Sequence, residues 1–408
     1  GGSGGGGGGA SGGGGSSYVP DPNPAIDPEP PPPCTEDTPS GYFQFLDESC
    51  GARRVPSHAD RGLACPSVDT SAEIVLRDGE TVSYRSSAEP LVVEDVLADV
   101  PWLPDGLQLT VILIRRIDGV PHYRYLSNGS AYASYQPWST TKFLAAANAA
   151  SYLRIASDYS VGLTASVAGH RLGDLVTSVH NYDYAPFSSN ALGAYFHDIG
   201  GRARANDLVH GLWLERPASE SFGGNYGAAP PALGYSFSDG DASVTIAPDT
   251  SSGPANHLSS FTTAEALKRL VLHREEAEQR LPGIQWADVE TLLYGAEGSS
   301  KYGDWGGMTA DTAIYLQSSH DIDYLETRRH CRWGVCAKLG RGAGGQFLDV
   351  GYGCFPVLDD DDEPVPGWGR EVVVAAHLPT GGGSWAERDR MLAKAYRELM
   401  IRVVDGTL

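Results

Sequence analysis

The chain has 408 residues, with 30 Lys+Arg against 51 Asp+Glu and a formal net charge of −21. A chain this acidic repels nucleic acid and anionic membrane surfaces, so neither is expected as a partner. No apolar run reaches the roughly 18 residues a membrane-spanning helix needs, and the length suits one large domain or two modest ones with a full core.

Residues 1–33 begin as a Gly/Ser run, Gly1 to Ser17, and continue as a Pro-rich segment to Pro33. This reads as a flexible tether followed by a stiffer polyproline spacer, which would hold a domain away from a surface. There is no initiator Met and no charged-then-apolar leader, so the chain looks processed or trimmed. Six cysteines, an even number, fit an oxidising compartment. An exported, surface-tethered monomer is therefore expected. Without Cys-x-x-Cys or His-x-x-x-His, no metal site is expected.

Residues 34–106 read as a small lead-in region. It carries Cys34, Cys50 and Cys65, a strand pair around Ala72–Tyr84, and a linking segment Val92–Asp105. From residue 107 to 408 a main domain is expected. Leu109–Ile114 is an apolar run of strand length, followed by an Asp118-Gly119 turn and a second strand, Pro121–Leu126.

Next comes WSTTKFLAAANAA, where Ser139 opens an alanine-rich helix. Ser139 and Lys142, three apart, share one helical face, so the amine can reach the hydroxyl. Backbone N–H groups at the helix start favour a developing oxyanion. A weak alcohol, a neighbouring base and an electropositive mouth make a candidate nucleophile.

Further along, Thr262-x-x-Glu265 reads as a capping box opening a helix with Leu267, Leu270 and Val271 on its apolar side. Three strands are expected at Trp333–Lys338, Gln346–Val357 and Arg370–Leu378. A closing helix from Trp385 to Val404 carries the apolar stripe Leu392, Ala395, Leu399 and Val403. Strands thus bracket a helical middle. The expected fold is α+β, with an antiparallel sheet built from both chain ends, helices on its faces and a mostly helical subdomain. The turn at 340–345 centres a hairpin that would bring Cys354 opposite Cys331 or Cys336, the remaining cysteine pairing with Cys34, Cys50 or Cys65. Asp359–Asp362 with Glu363 reads as a solvated acidic loop rather than a calcium site.

Three motifs in this order resemble those of the serine β-lactamase and penicillin-binding superfamily, the class A β-lactamases and DD-peptidases. They are Ser139-Thr-Thr-Lys142; Ser188-Ser189-Asn190, followed by a helix, a Gly-Gly turn and a helix; and Lys338-Leu339-Gly340-Arg341-Gly342. The resemblance covers about Leu107 to Val404 and implies a β-lactamase/transpeptidase-like fold. It makes Ser139 the nucleophile and Lys142 its proton acceptor. Ser188 would pass a proton toward the leaving group, and Asn190 would orient Lys142 and the substrate amide. Lys338 would hold the substrate's negative charge, Gly340 would let substrate lie against the strand, and the N–H of Arg341 would join that of Ser139 as an oxyanion hole. Ser189 replaces the family's Asp, and neither outer role depends on it. Leu339 replaces a hydroxyl that the family uses on the substrate carboxylate.

The resemblance implies a β-lactam or a D-Ala-D-Ala-type peptidoglycan peptide as substrate, with no cofactor. The family's deacylation pair, Glu-x-x-x-Asn, does not occur between the second and third motifs. Glu215 and Glu220 are the nearest carboxylates there, with Asn225 five residues after Glu220. A stable acyl-enzyme, an esterase or amidase on the same fold, and an inactive binding module all remain open.

Overall fold

Apolar runs from opposite ends of the chain meet in one antiparallel sheet. The computed structural model describes residues 69–181, 187–296, 307–308, 335–358 and 364–408. The tether, Cys34, Cys50, Cys65, Cys331, Trp333 and the 359–363 acidic run lie outside them.

In chain order, β1 (Glu73–Val75) and β2 (Thr81–Ser83) form the strand pair expected around residues 72–84. Short strands β3 (Arg85–Ser86) and β4 (Val93–Glu94) precede the long hairpin of β5 (Gln108–Ile117) and β6 (Val120–Ser127). Its loop is Asp118-Gly119 at φ 51° and 82°, the left-handed pair whose twist matches a two-residue hairpin. β3 and β4 both hydrogen-bond to β6, and Asp69 pairs with Arg115 of β5 at 2.8 Å. Residues 69–94 are therefore tied into the main sheet.

After β7 (Ser134–Tyr135), the chain makes a 3-10 turn, Trp138–Thr141, before α1 (Lys142–Ala156). Ser139 thus lies one turn ahead of the α-helix rather than opening it. Nearly every residue of α1 is buried, and its alanines let neighbours approach closely. β8 (Ser166–Val167) and β9 (His170–Arg171) lead to α2 (Leu172–Asn181), α3 (Ser189–Gly200) and α4 (Arg202–Asp207). Gly200 is required by this packing: a Cβ there would lie 2.9 Å from the Ala149 backbone N.

β10 (Ser236–Asp239), β11 (Ala242–Thr245) and β12 (Leu258–Ser259) follow, then α5 (Ser260–Val271) and α6 (Trp286–Tyr294). Thr262 does not cap α5. Ser259 does, accepting the Thr262 N–H, so the helix starts earlier than the Thr-x-x-Glu spacing predicts. The last elements are β13 (Val335–Gly342), β14 (Gln346–Leu358), β15 (Pro364–Leu378) and α7 (Trp385–Asp405). Leu392, Ala395, Leu399 and Val403 of α7 are all buried, as the stripe requires.

The main sheet runs β13-β14-β15-β5-β6-β3, with β4 pairing in parallel on β6. β15 pairs antiparallel with β5, Val373 opposite Ile112, so the sheet joins C-terminal to N-terminal strands in the expected α+β arrangement. α7 packs on β14 and β15, α5 packs on β5, β14 and β15, and α1 is surrounded by α2, α3 and α6. Cys354 on β14 is fully buried and half of a disulfide. Its partner lies outside what is described. The register sets Tyr352 opposite Cys336, leaving Cys354 two residues further along that strand.

Candidate active site

Ser139 is buried to 5 % exposure in the turn before α1. The residue before it, Trp138, holds φ 48°, a conformation bulky L-residues rarely adopt and one that strains the backbone just ahead of the serine. Thr140 and Thr141 fasten the turn by donating to the Pro137 and Trp138 carbonyls. Among the described residues the Ser139 hydroxyl makes no hydrogen bond.

Lys142 is 1 % exposed at the first position of α1. Its Nζ donates to Ser189 Oγ at 2.9 Å and to Asn190 Oδ1 at 2.6 Å. Ser189 in turn donates to the Val179 carbonyl at the end of α2. Ser188 caps α3, accepting the Ala191 N–H at 3.1 Å. The hydroxyl on the lysine is therefore that of Ser189, the middle residue of the motif, to which sequence reasoning gave no part. Alternation explains this: the first Ser ends extended chain, while the second is already helical and turned toward α1.

β13 supplies the third wall. Among the described residues it is the outermost strand of the sheet, with one row of its backbone groups facing away from β14. Gly340 lies against the serine turn: a Cβ there would sit 3.2 Å from Ser139 N and 3.1 Å from Thr140 N. A Cβ on Gly342 would overlap the Trp138 indole. Both glycines are needed for strand and turn to touch. Period-two alternation puts Lys338 on the same face as Gly340, and Leu339 and Arg341 on the other. Lys338 is fully buried and donates to the Leu339 carbonyl at 2.7 Å. Leu339 belongs to the main core, and the Arg341 guanidinium lies 5.5 Å from the Phe347 ring.

Two further residues line the candidate site, and neither sits in a motif that marks it. Tyr226 is fully buried; its hydroxyl is 2.8 Å from Thr141 Oγ1, and its ring centroid is 5.3 Å from Lys142 Nζ. Gly193 makes room for it, since a Cβ there would lie 2.7 Å from the ring. His180, at the end of α2, is fully buried, and neither ring nitrogen is hydrogen-bonded among the described residues. Burial, and then the charges of Lys338 and Lys142, hold it well below the ordinary histidine value, so the ring is neutral.

The carboxylates considered for deacylation are elsewhere. Glu220 is buried and accepts from Ser259 N, Thr262 Oγ1 and Arg216 Nε. Glu215 and Asn225 are exposed, and both line other cavities. No group of His, Cys, Asp and Glu that could hold a metal occurs among the described residues.

No family model and no curated protein matches the chain. Among solved structures it is similar to a class A β-lactamase from Mycobacterium abscessus, with 14 % identity over 72 % of this chain and 93 % of that one, at a TM-score of 0.40. It is likewise similar to a class A β-lactamase of the last common ancestor of Gram-negative bacteria, at 15 % identity, 72 % and 93 % coverage and a TM-score of 0.39. The chemistry of the site rests on this chain's own geometry, not on that likeness.

Proposed function

We propose that the chain is a serine hydrolase or acyl-transferase of the β-lactamase and DD-peptidase type, acting on a β-lactam or a D-Ala-D-Ala-type peptide. The observation that carries this reading is the meeting of three distant segments. The Ser139 turn touches Gly340, and Lys142, one turn on, is clasped by Ser189 and Asn190. Ser139 Oγ attacks the substrate carbonyl carbon, and the C–N bond breaks as the acyl-enzyme forms. The serine proton passes to Lys142 in its neutral form and on to the departing nitrogen. Ser188 accepts one bond as a cap, and its own proton remains available for that delivery. Lys338 attracts the substrate carboxylate, Asn190 orients the substrate amide, and the Ser139 and Arg341 N–H groups hold the oxyanion. No cofactor takes part. With no Glu-x-x-x-Asn pair between the second and third motifs, the acyl-enzyme forms faster than it hydrolyses. The Gly/Ser and Pro-rich tether, with the Cys354 disulfide, supports export to an oxidising compartment.

A binding module is the second reading. It is favoured by the Lys142 ammonium engaging Ser189 and Asn190 while the Ser139 hydroxyl stands apart; catalytic hydrogen bonds often tighten only with substrate bound. A reporter penicillin or an activated D-Ala ester decides between the two. The expected result is a burst of about one equivalent of label followed by slow turnover, abolished in Ser139→Ala. Labelling that persists in Ser139→Ala removes the nucleophile assignment. Silence of the wild type toward lactams, depsipeptides and simple esters favours the binding module.

A further inference from the structure

A cavity of about 290 Å³ lies between β6, α5 and the 214–216 segment, and shares no lining residue with the candidate active site. Its floor is internally satisfied. Tyr125 donates to Glu265 at 2.7 Å, Lys268 donates to both at 2.9 Å, and Tyr123 donates to Glu276 at 2.6 Å. The rim is not. The Arg216 guanidinium lies over Phe261 and Tyr132, 4.8 and 5.2 Å from the ring centroids. It commits Nε to Glu220 and Thr262, while neither Nη group has a hydrogen-bond partner among the described residues. Arg269 commits Nε to Glu265 and Nη1 to the Trp213 carbonyl, leaving Nη2. The Oε1 of Gln279, a lining residue, is buried with no donor among the described residues. Leu91 and Val92 stand 45 % and 43 % exposed at the mouth.

These groups ask for complementary chemistry. The Nη edges of two guanidiniums, one of them fixed by stacking, match a carboxylate. The orphaned amide oxygen needs an N–H or O–H donor, and the exposed aliphatic lip needs an apolar body. Four cations line the cavity (Arg85, Arg216, Lys268, Arg269) with three acids (Glu89, Glu215, Glu265), while Glu220 and Glu276 stand behind Arg216 and Tyr123. The volume is at the small end for ligand sites. We propose that this cavity binds a compact amphipathic N-acylamino carboxylate: the carboxylate on Arg216 and Arg269, the N–H on Gln279, and an aliphatic side chain against Leu91 and Val92.

The test is calorimetric titration of the full chain with N-acetyl-leucine, each enantiomer separately, and with N-acetyl-leucinamide as the control lacking the carboxylate. Saturable binding is expected for at least one enantiomer of the acid, and binding at least about tenfold weaker for the amide. Gln279→Leu and the surface variant Leu91→Glu should each weaken the acid about tenfold with unchanged thermal stability. Ser139→Ala should bind as the wild type does, which separates this cavity from the nucleophile's site. No saturation by either enantiomer up to millimolar concentration overturns the proposal. So does equal binding of the amide, indifference to both cavity variants, or loss of binding in Ser139→Ala.

Discussion

Lys142 Nζ lies 5.3 Å from the centroid of the Tyr226 ring, and the tyrosine hydroxyl is 2.8 Å from Thr141, the residue before that lysine. One side chain from a loop therefore steadies both the Ser139 turn and the Lys142 cation behind it. Its face attracts the ammonium, and its hydroxyl completes the threonine. Burial pushes the phenol well above its ordinary pKa, with the Thr141 bond opposing, so it stays protonated.

Tyr226→Phe is expected to destabilise by about 1 kcal/mol, the loss of one hydrogen bond, with acylation near the wild-type rate because the ring remains. Tyr226→Ala empties a fully buried aromatic position and should cost about 3–5 kcal/mol. It should also slow acylation, since Lys142 loses its wall. Urea denaturation and labelling rates report the two effects separately. Equal acylation rates in the Phe and Ala variants would show that the ring does nothing for the lysine.

Much of the architecture could be read from the residues because it rests on local periodicity. The β5–β6 hairpin follows from an apolar run and a two-residue Asp-Gly turn, and α7 follows from one apolar stripe with Ser384 and Glu387 as its capping box. The α5 cap was misread because two spacings compete there. Thr262 faces the buried Glu220, which only the folded chain brings near, and Ser259 takes the cap. Motif spacing points to Ser139, Lys142 and Asn190, and the fold brings Lys142 Nζ within 2.6 Å of Asn190 Oδ1. Tyr226 and His180 were invisible. Each reaches the site through long-range packing, and neither sits in a local pattern that marks it.

Gly340 and Gly342 limit the approach of β13 to the Ser139 turn. Gly340→Ala places a methyl 3.1–3.2 Å from two backbone nitrogens of that turn. It should hinder acylation about tenfold or more while the fold survives, because the neighbour must give by only tenths of an ångström. Gly342→Ala meets the Trp138 indole and should destabilise by about 1–3 kcal/mol. Thermal melts with penicillin labelling check both. An acylation rate in Gly340→Ala equal to wild type would place the substrate path elsewhere.

Glu220 and Glu215 are expected to separate cleanly. Glu220 is buried and accepts from a backbone N–H, a hydroxyl and a guanidinium, so Glu220→Ala strands Arg216 and should cost about 3–5 kcal/mol. Glu215 is exposed, and Glu215→Ala should change stability by less than about 0.5 kcal/mol. Neither change should alter the deacylation rate of protein that remains folded, measured by decay of the penicillin label. A selective loss of label release in either variant would restore that glutamate as the hydrolytic base.

Four histidines give the fold a defined acid sensitivity. Burial, then the charges of Lys338 and Lys142, keeps His180 well below its ordinary value. Burial, then Arg202, holds His197 at about 3. Burial, then a neighbouring arginine in each case, holds His273 and His377 at about 4. In the unfolded chain each would take a proton near about 6.5. As pH falls below that value the unfolded state binds protons that the folded state refuses, so stability falls with it. The melting temperature should therefore be nearly flat above about pH 7 and decline from about 6.5 toward 3. Glu265 adds a decline of the same sign, but only at lower pH. Burial pushes its carboxyl up, Lys268 and Arg269 outweigh that, and it sits at about 2, so its contribution begins near about 4.5. The window between pH 6.5 and 4.5 thus reports the histidines, opposed by Glu371, whose carboxyl burial holds above its ordinary value so that the folded state takes its proton first. His197 stacks on Tyr226 and lies near Phe222, with neither nitrogen hydrogen-bonded among the described residues, so His197→Phe removes one titrating group from an aromatic cluster. That variant should show a shallower decline than the wild type between pH 6.5 and 4.5, measured by melts at constant ionic strength. Parallel slopes would mean that His197 takes up its proton in the folded protein as readily as in the unfolded chain, and that the aromatic cluster does not exclude it.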